Sequence, residues 1–326
     1  MPLTLPFPLK KYSKQILEGV VMLGNQAIKK IGLNGKLLSA ATAKVSVLDR
    51  GFLYGDGVYE AVRIYDGKIF RARQHWQRLR VSLKSIFLKI SWTDADLTRF
   101  CLQTARANNL KEAMVRLTIS RGVGTVGYDP SSCKNPTLMI LALPIRPDLP
   151  HLWKKGVMAT LVSVRRNPII SLSPLIKHTN SLNGILAKIE SLRTRAFEGI
   201  FLNTQGFLAE GTISNVFLVD KGTLKTPSLD CGILDGVTRG AVLECAKRLK
   251  ISVVETQLLP KDLQQAQEVF LSSTTMEVMP VVRLGSQKIG GGLPGPITRK
   301  LQQELSKLIC KELNLANSLA NNSANG

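Results

Sequence analysis

The stretch Pro144-Ile-Arg-Pro-Asp-Leu-Pro150 constrains this chain more than any other feature. Each proline fixes φ and removes a backbone donor, so no helix interior or central strand runs through all of them. A chain of 326 residues is also too long for one small domain. Two units joined at this stretch are therefore expected. Residues 31–150 would form a small α+β domain and residues 151–314 a larger one. Residues 1–30, with Pro2, Pro6 and Pro8, read as an N-terminal extension, and residues 315–326, small and polar, as a disordered tail.

Within the first unit, Leu33-Asn34-Gly35-Lys36-Leu37 and Asp66-Gly67 carry hairpin turn chemistry. A strand is expected over Tyr54–Tyr65. Trp76, Leu79, Leu83 and Phe87 recur at helical spacing, and a second helix is predicted over Asp94–Asn108. Strands at Ala113–Ser120 and Thr137–Leu143 follow. The second unit reads as a strand near Val157–Val164, then a helix over Asn180–Ala196 capped by Asn180. Hairpins turn at Asn203–Gly206 and Asp220–Gly222, and a helix starts after Gly236. A strand, a helix near Asp262, a strand at Val269–Ser272 and a last helix from Ile297 to Leu313 complete the chain.

Composition excludes several classes. No apolar run approaches the roughly 20 residues of a membrane helix. Five scattered cysteines with no CxxC pair argue against a disulfide framework and fit a reducing cytoplasm. Three histidines leave no basis for a zinc site, so no metal is expected. The net charge of +21 and pI near 10.0 would attract anions. From Lys68 to Lys89 inclusive there are seven basic residues and no acid. No nucleic-acid motif accompanies them, so a solvated basic surface is the reading and no specific nucleic acid is expected.

Gly122, Gly124 and Gly127 spell GxGxxG after a strand. A dinucleotide site needs that motif to open a helix. Here Tyr128-Asp129-Pro130 follows, so the motif predicts a loop and no nicotinamide site. Four other pieces combine better. Lys177, between Ile176 and His178, is an amine that apolar surroundings could desolvate. Glu210 sits at a strand end where a buried carboxylate would need a cation. Gly236-Val237-Thr238-Arg239 opens a helix whose free N–H groups make an anion site. Arg78, on the Trp76 helix, could grip a phosphate bidentately, and Ser273-Thr274-Thr275 add hydroxyls.

With these pieces in place, the chain resembles the class IV aminotransferases, the family of branched-chain and D-amino acid aminotransferases and aminodeoxychorismate lyase. The ordered motifs are Asp49-Arg50-Gly51, Tyr54–Glu60, His75…Arg78-Leu79, Arg121-Gly122, Ile176-Lys177, Glu210-Gly211…Ser214-Asn215, Gly236–Arg239 and Ser273–Thr275…Glu277…Pro280. They run from Leu33 to Leu313. The resemblance implies an α+β fold of two domains, the larger with a barrel-like sheet, usually in a homodimer. It implies pyridoxal 5'-phosphate as cofactor, joined to Lys177, which also moves the substrate Cα proton. Glu210 would pair with the ring nitrogen. Arg78, the backbone of Val237 and Thr238, and the hydroxyls of Ser273 and Thr274 would hold the phosphate, with Tyr59 beside Lys177.

Substrate contacts would fall to Tyr59, Arg116 and Thr275. Small-molecule amino acids and 2-oxo acids are the expected partners, with a branched-chain-like donor. The D-amino acid enzymes carry an arginine and a histidine in the loop after Arg121-Gly122, and Val123–Tyr128 has neither. The lyases share Lys177-His178 and Val278-Met279-Pro280, so formation of 4-aminobenzoate and pyruvate stands as the alternative. An idle, polyanion-binding copy of the fold is the rival suggested by charge, and the intact Lys177, Glu210 and Arg78 set speaks against it.

Overall fold

The computed structural model describes the backbone of residues 21–23 and 26–315, with side chains from Ile28 to Leu315. The proline-rich start of the expected extension and the expected tail beyond Leu315 lie outside the described residues. The first elements are β1 (Val21–Leu23), β2 (Gln26–Ile28), β3 (Lys30–Leu33), β4 (Lys36–Ser39), α1 (Arg50–Tyr54), β5 (Gly57–Tyr65) and β6 (Lys68–Ile69). Then come α2 (Ala72–Ser85), α3 (Asp94–Ala107), β7 (Ala113–Ser120) and β8 (Thr137–Pro144). The remainder is α4 (Leu149–Lys155), β9 (Val157–Leu161), α5 (Leu182–Arg193), β10 (Glu198–Leu202), β11 (Leu208–Gly211), β12 (Asn215–Asp220) and β13 (Thr223–Pro227). It ends with α6 (Val237–Arg248), β14 (Val253–Thr256), α7 (Pro260–Gln265), β15 (Glu268–Ser273), β16 (Glu277–Leu284), β17 (Gln287–Lys288) and α8 (Pro296–Leu313).

Strands β3 to β8 make an antiparallel six-stranded sheet in the order β4-β3-β8-β7-β5-β6. Its tight hairpins turn where expected. Asn34-Gly35 and Asp66-Gly67 each place two successive residues at positive φ, which matches the right-handed twist of the strands they join. β5 alternates strictly. Val58, Val62 and Ile64 face Trp76, Leu79 and Leu83 of α2 and Leu97 and Cys101 of α3. Tyr59, Ala61, Arg63 and Tyr65 face the other way, toward the second sheet.

That second sheet has nine strands in the order β11-β10-β9-β16-β15-β12-β13-β14, with β17 on β16. Only residues 212–214 join β11 to β12, a link that spans about 14 Å at most. Laid flat, the five strand steps between them would cover about 24 Å. The sheet must therefore curl into a half-barrel, and Gly211 N–H donates to Ser214 O at 2.6 Å where its edge returns. Both faces are buried, again with period two. Val216, Leu218, Val269 and Leu271 pack on one core with Leu149, Leu258 and Leu263. Phe217, Val219 and Phe270 pack on the other with α6 and α8, the two rings stacked 4.8 Å apart. Mixed helices and strands with a curled sheet are the fold class expected.

The structure corrects several local readings. α2 stops at Ser85, and Phe87, expected on its apolar face, has φ +53° and is 89% exposed. α5 starts after Ser181 instead of being capped by Asn180. Tyr54 belongs to a short helix, so the strand begins only at Gly57. Pro150 does not end a linker; it lies in the first turn of α4, where a missing N–H costs nothing. β9 ends at Leu161, short of Val164. The glycine loop opens no helix: Gly127 N–H donates to the Tyr54 hydroxyl at 2.9 Å, and a Cβ on Gly122 would lie 1.9 Å from Asn135 O.

Candidate active site

The two sheets leave a cavity of about 270 Å³ between them. The open face of β5, β7, the segment before α5, the β11–β12 turn, the start of α6 and the β15–β16 turn all reach it. Every residue assigned a role from sequence lines it: Lys177, Glu210, Arg78, Val237, Thr238, Ser273, Thr274, Tyr59, Arg116 and Thr275. A wider groove of about 630 Å³ lies between α2 and α3, but neither Lys177 nor Glu210 lines it, so it offers no comparable chemistry.

Lys177 lies on an irregular segment laid against the start of β5. Its N–H donates to the Ser82 hydroxyl at 3.1 Å and its carbonyl accepts from Tyr59 N–H at 2.9 Å. Held at both ends of its peptide, it projects its amine over the Tyr59 ring, 4.5 Å from the centroid. The Arg116 guanidinium stacks on the same ring at 3.8 Å. The Lys177 charge is the main influence that pulls the Tyr59 phenol below its ordinary value; burial opposes it and Arg116 assists.

Glu210 is buried at the end of β11. One oxygen accepts from Arg166 Nε at 2.8 Å, and the other from Leu234 N–H at 2.8 Å and Asn215 Nδ2 at 3.5 Å. A cationic partner is thus present within the chain, as Arg166, where the sequence reading looked only to the ring nitrogen of a cofactor. Burial still holds the Glu210 carboxyl above its usual value, so Arg166 offsets only part of the desolvation. A second N–H donor with positive charge would be stabilised there.

Opposite, α6 opens on Gly236, which has no side chain to cap the first-turn N–H groups. A Cβ at Gly236 would meet Asn215 Oδ1 at 2.1 Å, so the close approach of β12 to this helix end requires glycine. Arg78 arrives from α2, but its Nε–Nη2 edge is already engaged. Nε donates to Glu60 Oε1 at 2.7 Å, Nη2 to Glu60 Oε2 at 2.8 Å, and Nη1 to Asp235 O at 2.8 Å. A bidentate grip through that edge is therefore not open to a phosphate; only the remaining N–H groups of Nη1 and Nη2 are. Glu60 also accepts from His75 Nδ1 at 2.9 Å. Burial alone would raise the Glu60 carboxyl, but Arg78 and His75 outweigh it and hold the group far below the carboxylate range.

These residues fit a planar cofactor with an anionic handle. An amine lies over Tyr59, an under-compensated carboxylate sits at one end, and uncapped N–H groups beside Arg78, Ser273 and Thr274 stand at another. Among the described residues no group of His, Cys, Asp or Glu could hold a metal ion, and no helix is long and apolar enough to cross a membrane.

Relationships to known proteins agree. The profile of the family described as amino-transferase class IV matches residues 57–284. A putative branched-chain-amino-acid aminotransferase of Methanocaldococcus jannaschii is 42% identical over 282 residues, 86% of this chain and 97% of that one. D-alanine aminotransferase of Bacillus licheniformis is 31% identical over 284 residues, 87% and 98% of the two chains. The crystal structure of Escherichia coli branched-chain amino acid aminotransferase superposes with a TM-score of 0.82 at 32% identity, covering 86% of this chain and 95% of that one. This chain belongs to the class IV aminotransferases, enzymes that depend on pyridoxal 5'-phosphate, and the family match together with relatives named as aminotransferases makes it a transaminase.

Proposed function

We propose that this transaminase moves the amino group of a branched-chain or similar apolar amino acid to a 2-oxo acid, with Lys177 as the catalytic amine. The observation that carries the reading is the convergence of Lys177, Glu210 and the start of α6 on one cavity. Bound pyridoxal phosphate would supply a carbonyl that condenses with amines and a ring that takes up the electron pair left at Cα.

The chain's own residues do the rest. The Lys177 amine would hold the cofactor and, with substrate in the cavity, would serve as the base that takes up the substrate Cα proton. Glu210, with Arg166 behind it, keeps a negative charge at the ring-nitrogen end. First-turn N–H groups of Val237 and Thr238, the unspent N–H groups of Arg78, and the Ser273 and Thr274 hydroxyls receive the phosphate. Arg116, stacked on Tyr59, offers its guanidinium to the substrate carboxylate. Ala61, Met114 and Ile176 give the cavity an apolar wall, which suits an aliphatic side chain. The loop over 123–128 brings no arginine or histidine, which favours the branched-chain side over D-amino acids.

A homodimer is part of the proposal. Leu182, Ile185, Leu186, Ile189 and Leu192 form one exposed apolar stripe on α5, too extensive for a solvated helix face. The stripe runs beside cavity residues Ser181 and Gly184, so a second copy seated there would border the site.

The test has two arms. Incubation with pyridoxal 5'-phosphate should give visible absorbance that survives dialysis, and borohydride reduction should leave the cofactor on the peptide containing Lys177; Lys177→Ala should lose both. Leucine with 2-oxoglutarate should then yield glutamate. Release of pyruvate and 4-aminobenzoate from aminodeoxychorismate, without glutamate in the first assay, would replace transamination by the lyase reaction.

A further inference from the structure

The cavity face of β5 continues past the cavity. Tyr59 and Ala61 line it, and the next two residues of the same face, Arg63 and Tyr65, reach the turn between β15 and β16. Arg63 Nη1 donates to Thr275 O at 3.1 Å and pairs with Glu277 Oε1 at 3.0 Å. The Tyr65 hydroxyl donates to the same Glu277 oxygen at 2.9 Å, and the Arg63 guanidinium lies 4.6 Å from the Tyr65 ring centroid. Glu277 itself has φ +53°, a left-handed conformation that a glutamate keeps only where its surroundings hold it. From the other side Trp153 Nε1 donates to Met276 O at 2.8 Å.

The turn that presents Thr274 and Thr275 to the cavity is thus anchored by side chains of the opposite sheet and of α4. Arg63 is rooted on the strand that carries Ala61, and its tip is tied to the Thr275 carbonyl. Those two cavity walls cannot separate without breaking a largely buried ion pair. We propose that Arg63, Tyr65 and Glu277 are positioning residues that fix the gap between Ala61 and Thr275, and so set the size of amino-acid side chain the cavity accepts. The inference rests on the reading of the cavity as an amino-acid site.

Removing one charge would strand the other, so the informative variant is the pair Arg63→Met with Glu277→Gln, which deletes both together. Two readouts are needed. Amide hydrogen exchange at residues 274–276 of the cofactor-loaded protein should accelerate about tenfold or more, with β5 and β7 unchanged. The ratio of kcat/KM for leucine to that for alanine should fall at least about fivefold, because a wall that yields discriminates less by size. Tyr65→Phe deletes one hydroxyl and should show the same two changes at about threefold, which keeps the test alive if the paired variant does not fold. Unchanged exchange at 274–276 in a folded variant, or equal losses for leucine and alanine, would overturn the proposal. A wild-type protein that converts no apolar amino acid would instead refute the function proposed above, and exchange alone would then judge the clamp.

Discussion

Glu60→Gln is the most demanding perturbation of this site, because it alters no group that lines the cavity. The wild-type carboxylate is fully buried and accepts from Arg78 at 2.7 and 2.8 Å and from His75 at 2.9 Å. Glutamine keeps the shape but replaces one acceptor with an NH2 group. Whichever way the amide turns, that NH2 faces an N–H of Arg78, and in one of the two orientations it faces His75 Nδ1 as well. Breaking a buried ion pair costs about 3–5 kcal/mol, and retained shape argues for the lower end, about 3 kcal/mol. At about 2–4 °C per kcal/mol, the melting temperature of the apoprotein should fall by about 6–12 °C at neutral pH. Differential scanning calorimetry reads this directly. Arg78, no longer held, should also present its free N–H groups less well, weakening pyridoxal phosphate binding about tenfold in an absorbance titration. A shift under about 2 °C with unaltered cofactor affinity would refute the argument that Glu60 fixes Arg78.

Other outcomes follow from the same geometry. Tyr59 in the apoprotein should ionise at a lower pH than a free tyrosine, because Lys177 stabilises its phenolate; Lys177→Ala should move that ultraviolet titration back up, and no movement would sever the pair. Gly236→Ala should cost about 1–3 kcal/mol and weaken phosphate capture, since the added methyl displaces Asn215 from the start of α6; thermal unfolding and cofactor titration check it. Ile189→Glu places a charge in the middle of the α5 stripe and should shift sedimentation from dimer to monomer; a wild type that sediments as a monomer removes the dimer from the proposal.

The sequence showed most elements because their patterns were local. Asn34-Gly35 and Asp66-Gly67 specify their own turns, and the Trp76-Leu79-Leu83 spacing specifies its own helix. The pattern overran at Phe87 because an apolar residue at the next helical position looks identical whether it packs or faces water. β16 went unread for a related reason. Pro280 stands in its middle, and a proline ordinarily argues against a central strand. Here Pro280 pairs with Phe270 of β15, while the ladder to β9 begins only at Val281. A strand in the middle of a nine-stranded sheet therefore tolerates a residue that local rules exclude, and only the strand order shows why.

The site follows the same division. Lys177, Glu210 and the α6 start were legible because their chemistry is unusual where they stand. Arg166, Glu60 and His75 were not legible as a set, because each looks ordinary alone and acts through a partner distant in sequence. Arg166 meets Glu210 across 44 positions, and Glu60 meets Arg78 from a neighbouring strand and helix. Those partners change the chemistry inferred. On the proposed reading, a carboxylate already paired with an arginine would act as a tuned charge, and an arginine already clamped by a glutamate would contribute direction more than net charge to phosphate binding. The proposed anion site would then depend chiefly on the α6 backbone, so substitution at Gly236 should weaken cofactor binding more than Arg78→Lys does; the reverse order in a cofactor titration would return the phosphate to Arg78.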